Sequence, residues 1–292
     1  MRKCLLVLTI FLLFLGGCGK PSEQKELSVN DVIKNEETVM LLVDSETEED
    51  ESDVPGAKKI EKILYVKDEK VKVYPVEETD TGAGALLNEL EVNGLKKFIE
   101  RAEEISKDNF ETLKENEIAE LEHMIDIPND ETMQENAEID DFSAEKLQEA
   151  EDVADSAEEA LPDFQKFEYE QPKFYGVKKK LLVKSKADKE NVLKGKDIPK
   201  STYQEFIFNE YHSTIQDDLF SHGELKYKFS KNEFSFRTNF KNVDTFGGLN
   251  NSRYAYIPSN VDSDALIIPV SDKFENVKYD ASKNVEVQDY LE

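Results

Sequence analysis

The rhythm of hydrophobic positions changes several times along the chain. Leu5 to Leu15 is an apolar run of eleven residues with Thr9 its one polar position, and a polar stretch, Gly19 to Glu26, comes soon after. Val39 to Val43 is a short apolar run that reads as a strand. Ile60–Val66 and Val71–Val76 alternate and are rich in β-branched residues, with Asp68-Glu69 between them. That pattern predicts a hairpin, although the turn has no glycine, and Pro75 ends the second strand or puts it at a sheet edge. The period then lengthens. Leu95, Phe98, Ile99, Ala102 and Ile105 share one face of a helix, and Phe110, Leu113, Leu121, Met124 and Ile125 extend it less regularly toward Pro128. A second helix is predicted over Phe142–Leu161, with Ser143 as N-cap and Pro162 just past its end. Its apolar positions Leu147, Ala150, Ala154, Ala157 and Leu161 follow heptad spacing, which suits a helix packed by its alanine face on its own domain, or one that docks on another protein.

Beyond Phe164 the period is that of a strand. Leu225, Tyr227 and Phe229 share one face, and Phe234, Phe236 and Phe240 share another, with Ser230 to Glu233 read as the turn. Tyr254–Ile257, Ala265–Val270 and Phe274–Tyr279 are further strand candidates. Thr202 and Glu205 match a capping box, yet Phe206 to Phe208 suit a strand, and the pattern leaves both open. The fold class expected is α+β. A strand–hairpin–helix unit spans 27–127, an acidic linker and helix span 128–165, and a β-rich domain spans 166–292. A leader over 1–17 and a tether over 18–26 precede them.

Charge sharpens this division. The formal net charge is −27, which argues against nucleic acid as a partner because phosphates would be repelled. Residues 103–165 hold 23 acidic side chains against three lysines, whereas 167–292 hold 20 acidic against 19 basic. Of the 28 Phe and Tyr residues, 20 lie from Phe167 onward, so the better-furnished core is expected in the C-terminal part. The two cysteines, Cys4 and Cys18, both precede the ordered pattern, which leaves no disulfide framework and no cysteine-based zinc site.

The N-terminus carries the most specific motif. Arg2 and Lys3 form a positive head before the apolar run, which is too short for a spanning helix of about 20 residues. Leu15-Gly16-Gly17-Cys18 follows and resembles the lipobox of bacterial lipoproteins. The resemblance implies diacylglyceryl transfer to the Cys18 thiol, cleavage after Gly17 and a mature chain anchored by acyl chains on the extracytoplasmic face of the cell membrane. Abundant Lys, Asn, Glu and Ile with no Trp suggests a Gram-positive source.

Other motifs carry less. Asp80-Thr81-Gly82-Ala83 resembles the active-site turn of retroviral-type aspartic proteases. Glu77, Glu78 and Thr79 stand where that family has a buried apolar strand, and no second copy exists in the chain. A glycine-rich turn before a helix at Leu86 is the simpler reading. A phosphate loop at Gly82-x-Gly84 lacks the third glycine and the lysine. His123, His212 and His222 have no metal-ligand spacing, and the acidic clusters Glu48–Asp53 and Asp126–Glu131 lack the ligand pattern of a Ca²⁺ loop. No metal or other cofactor is expected. Lys178–Lys180, Lys184, Lys186 and Lys189 form a basic segment suited to anionic lipid or wall polymer, or to the acidic middle of the chain itself.

The function expected is a non-enzymatic binding or accessory lipoprotein at the cell envelope, held to the membrane through Cys18, with an envelope protein or wall polymer as partner. Two alternatives are a hydrolase relying on carboxylates, with Asp80 as its test residue, and a precursor whose released leader tail, ending at Gly17, acts as a pheromone.

Overall fold

The computed structural model describes residues 25–35, 37–44, 55–76, 82–131, 134, 136, 141–218, 224–261 and 264–290. The leader, Cys18, the acidic stretch Glu48–Asp53 and the Asp80-Thr81 pair lie outside these residues. The architecture is α+β. The chain divides into two compact units, one of Met1–Ala102, Phe174–Asn209 and Glu233–Glu292, the other of Glu103–Lys173 and Glu210–Asn232.

The first unit is built on sheets. In chain order its early elements are β1 (Glu26–Leu27), α1 (Val29–Asn35), β2 (Thr38–Asp44), β3 (Ile60–Lys67), β4 (Lys70–Pro75) and α2 (Ala83–Asn93). Later come β5 (Tyr175–Gly176), β6 (Lys178–Val183), α5 (Lys186–Leu193), β9 (Asp244–Gly247), β10 (Arg253–Pro258), β11 (Asp264–Val270), β12 (Asn276–Val277) and β13 (Glu286–Asp289). Two long strands, β7 (Tyr203–Asp218) and β8 (Glu224–Thr238), begin and end in this unit respectively.

Seven strands form one sheet in the order β5-β4-β3-β2-β11-β10-β9. Its centre is the antiparallel pairing of β2 with β11, Asp44 opposite Asp264 and Leu41 opposite Ile267, which joins strands more than 200 positions apart. β2 is buried at five consecutive positions, Val39 to Val43, so both faces of the sheet are covered there. On one face Met40, Leu42, Leu64, Leu266 and Ile268 meet Phe206, Phe208 and Phe236 of the four-stranded sheet β13-β6-β7-β8. Leu27, Val29, Val32 and Ile33 close the same core. The β3–β4 hairpin forms as the alternation predicts. Asp68 and Glu69 make its two-residue turn with φ of 51° and 60°, the left-handed conformation a mirror-image turn needs and which glycine or asparagine adopts more easily.

The second unit is helical. α3 (Leu95–Asp126) starts in the first unit and continues through the second, and α4 (Asp141–Lys166) follows. Leu121, Ala157 and Phe164 are their buried contact, flanked by Ile118, Met124, Ile125, Ala160 and Leu161. Phe110 packs on Phe167 and Tyr169, with ring centroids 6.1 and 5.7 Å away.

Several expectations change. β8 is a single strand through Ser230–Glu233, where a turn was expected. None of those four residues is glycine or proline, so nothing expels the backbone from the extended region while β7 lies alongside. α4 begins at Asp141, which places Ser143 inside it, and it continues past Pro162 to Lys166. Proline lacks the N–H for one ladder bond, and burial of Phe164 two residues later offsets that loss. The stretch Phe274–Tyr279 contributes only Asn276–Val277, paired in parallel with β1. Thr202 and Glu205 do not cap a helix, because β7 covers Tyr203 onward. A true capping box lies at Ser28, whose Oγ accepts from Asp31 N at 3.1 Å while Ser28 N donates to Asp31 Oδ2 at 3.1 Å, and it starts α1.

Candidate functional site

One end of the large sheet holds a concavity lined by residues of the first unit. There β2 starts at Thr38, β10 starts at Arg253 and β11 finishes at Val270, with Arg253 opposite Val270 in the ladder. Above them α2 ends because Gly94, at φ 78°, breaks the helix before α3 resumes at Leu95. The break leaves part of the sheet end uncovered. The result is a cleft of about 600 Å³ between Leu90, Glu91 and Leu95 on one side and the strand ends on the other.

Its polar groups are fixed by neighbours. Tyr254 is buried, stacks on Phe246 at 5.6 Å between centroids and donates its hydroxyl to Glu91 Oε1 at 2.8 Å. Burial, and then the Glu91 carboxylate, push that hydroxyl's pKa well above the ordinary tyrosine value, so it acts as a donor at any physiological pH. Glu91 lies directly over Gly248, where a Cβ would fall 2.1 Å from Oε1, and only glycine leaves room for the carboxylate. The second oxygen, Oε2, is shut off from solvent and has no hydrogen-bond partner among the described residues. At the floor Glu37 accepts from Tyr65 at 2.5 Å and from Lys67 at 3.0 Å. Those two bonds, the tyrosine's first, hold its carboxyl below the ordinary range.

Arg253 organises the rim. Its guanidinium donates to the carbonyls of Asp272 and Phe274, at 3.2 and 3.3 Å, and to Thr245 Oγ1 at 3.0 Å, pinning the loop after β11. Asn250 and Asn251, with φ of 53° and 63°, turn the chain into β10 and line the opposite rim. Carboxylates, amides and hydroxyls thus surround an apolar patch of Val39, Leu90, Leu95, Pro269 and Val270. Such a mixture can hold a small ligand by a few directed hydrogen bonds over an apolar contact.

The motifs singled out in the sequence fall elsewhere. Gly82 and Gly84 open α2 and press on the turn at Pro55–Ala57. Cβ atoms there would stand 3.0 and 3.1 Å from Gly56 O, so close backbone approach accounts for both glycines. His123 is exposed on α3 beside a shallow depression formed with Asp126, Ile127, Asn129 and Asp130. His212 lies in β7, and His222 lies outside the described residues. Among the described residues no group of three or more His, Cys, Asp or Glu side chains could hold a metal ion. The basic segment is engaged within its own unit. Lys178 pairs with Glu233 at 2.6 Å, Lys180 with Glu205 at 3.8 Å and Lys189 with Asp289 at 3.6 Å, while Lys179 donates to Asn30.

Glu37, Glu91, Arg253 and Tyr254 went unnoticed in the sequence because they belong to different elements and share no spacing. Only Gly247-Gly248-Leu249-Asn250-Asn251 carried a local signal, that of a turn needing left-handed backbone. No helix among the described residues is long and apolar enough to cross a membrane. Comparison with protein families, with curated proteins and with solved structures gives no significant match.

Proposed function

We propose that this protein is an extracytoplasmic lipoprotein, anchored through acylated Cys18, that binds a small ligand in the cleft beside Glu91 and Tyr254. The observation that carries the anchoring is the sequence Leu15-Gly16-Gly17-Cys18 directly after an apolar run of signal-peptide length. The binding role is supported by a cleft of about 600 Å³ in which polar groups held by their neighbours surround an apolar patch. A ligand that lays an apolar part on Val39, Leu90 and Pro269 would meet polar groups already in place, because Tyr254 holds Glu91 and Arg253 holds the rim.

Metabolic labelling with a fatty acid tests the anchor. The wild-type chain takes up label and sediments with membranes, and Cys18→Ser loses both; an unlabelled wild type overturns the reading. For the cleft, the mature chain retains a component of envelope extract through purification, and Glu91→Gln releases it. Turnover of a substrate in place of retention would favour the carboxylate hydrolase instead.

A further inference from the structure

Away from the cleft, the sheet unit buries a group of polar side chains around α1. Asn30 of α1 is 3% exposed, Gln204 of β7 is fully buried and Asp280, after β12, is 2% exposed. Lys179 of β6 reaches into this group and donates from Nζ to Asn30 Oδ1. The ladder sets Lys179 opposite Phe206 and Leu181 opposite Gln204, so Lys179 lies on the core-facing side of β6. Asp280 is held on one side only. Its Oδ2 accepts from Gln204 Nε2, and its backbone N–H donates to Gln204 Oε1 at 2.9 Å. Its Oδ1 is buried with no hydrogen-bond partner among the described residues.

An amine, a carboxamide and a carboxylate are thus gathered where water is scarce. Burial lowers the Lys179 pKa; the charge of Asp280 opposes that shift, Lys34 adds to it and Glu69 opposes it. Burial also raises the Asp280 pKa, against hydrogen bonds from Ser28 and Gln204 and the charge of Lys179, and with the charge of Asp31. Both shifts favour moving a proton from the ammonium to the carboxylate, which leaves a neutral, nucleophilic amine. Asn30 Cγ is one carbonyl bond, about 1.2 Å, beyond the oxygen that Nζ already touches, so the amine needs little movement to attack it.

We propose that Lys179 and Asn30 join in an isopeptide bond, with Asp280 carrying the protons. The ammonium gives one proton to Asp280, and the free amine attacks Asn30 Cγ to form the new C–N bond. Asp280 lends its proton to the oxygen of the tetrahedral centre, takes the second proton from the attached nitrogen and passes it to Asn30 Nδ2. The C–Nδ2 bond breaks, the carbonyl reforms and its proton returns to Asp280. Nitrogen leaves as ammonia, which takes that last proton to become ammonium. No electrons are transferred and no co-reactant is needed. The bond closes a loop between positions 149 apart and ties the segment after the tether to the four-stranded sheet. It restricts the unfolded chain as a disulfide would, in a protein whose cysteines both precede its ordered elements. It depends neither on acylation of Cys18 nor on a ligand in the cleft.

Tryptic digestion of the purified, denatured full chain tests it by mass spectrometry. In the wild type, Glu26–Lys34 is joined to the peptide bearing Lys179, at the summed mass less one ammonia, about 17 Da. Fragmentation places the junction at Asn30 and Lys179. Lys179→Arg keeps the charge and releases Glu26–Lys34 as a free peptide. Asp280→Asn, folded by near-ultraviolet circular dichroism, leaves the two peptides separate. A wild-type chain that yields free Glu26–Lys34 with Asn30 intact overturns the bond. A joined peptide in Asp280→Asn overturns the part given to Asp280.

Discussion

The two units keep themselves folded by different means. The sheet unit buries a large, distributed core in which residues far apart in sequence meet across β2, β11 and the facing sheet. Among the described residues the helical unit buries two smaller groups, Leu121, Ala157 and Phe164 between its long helices and Phe110 against Phe167 and Tyr169, and the sequence of those helices is dense in carboxylates. In the first, each charge tends to have an assigned partner: two N–H groups of Arg237, Nε at 3.2 Å and Nη2 at 2.6 Å, converge on buried Glu205. In the second, like charges recur along one helix, as at Glu151, Asp155 and Glu159 of α4. The lesson is that a large apolar core sustains specific buried pairs, while a small one leaves diffuse repulsion to be carried by water and salt.

The sharpest test of that contrast is cavity formation. Phe206→Ala empties a fully buried ring position in the sheet unit and is expected to lower unfolding free energy by about 3–5 kcal/mol. Phe164→Ala should fall at or below the low end of that range, since its neighbours Ala157 and Ala160 leave less contact to lose. Denaturant midpoints decide it, and a larger loss at Phe164 would break the comparison. Pro162→Ala restores a ladder bond inside α4 and should raise the thermal midpoint of the helices, by roughly 1–3 kcal/mol in stability.

Smaller effects sharpen it further. Glu69→Gly relieves a left-handed turn residue in the β3–β4 hairpin and should stabilise the sheet unit by about 1 kcal/mol. Asp155→Lys replaces two like-charge pairs on α4, with Glu151 and Glu159, by two opposite pairs. It should gain about 0.5–1 kcal/mol at low salt and less at high salt, read by helical circular dichroism on heating. The smallest effect depends on pH. Because the folded state raises the Glu61 pKa, the penalty is absent at pH below the ordinary carboxylate range and grows as pH rises through the elevated value. Glu61→Gln should therefore stabilise at neutral pH, by less than about 1 kcal/mol, and do nothing in acid. Glu37 behaves oppositely: its lowered pKa gives stability at neutral pH that is lost as pH falls through the folded value. Glu37→Gln should thus destabilise where Glu61→Gln stabilises, and parallel pH profiles for the two would refute the assignment.

Local periodicity made the two long helices, the β3–β4 hairpin and the strands β2, β10 and β11 legible, because each depends on residues within a few positions of one another. Where neighbours competed with local signals, the reading failed. Ser230–Glu233 looked like a turn because the apolar parity switches between Phe229 and Phe234, and a long partner strand held it extended. Pro162 looked like a helix stop, and a buried phenylalanine beyond it carried the helix on. The cleft was illegible for the same reason: Glu91 and Tyr254 are 163 positions apart and meet only because α2 lies over β10.

The sequence by itself determined the α+β character, the acidic helical middle and the elements whose signals lie within one or two turns of chain. Tertiary structure alone decided that β2 and β11 lie side by side, that Glu91 rests on Gly248 beside Tyr254, and that Lys25 and β1 join the chain at Glu275–Val277. Pairings of that kind cost loop-closure entropy and are settled only when burial of both partners outweighs it, so no stretch of sequence announces them.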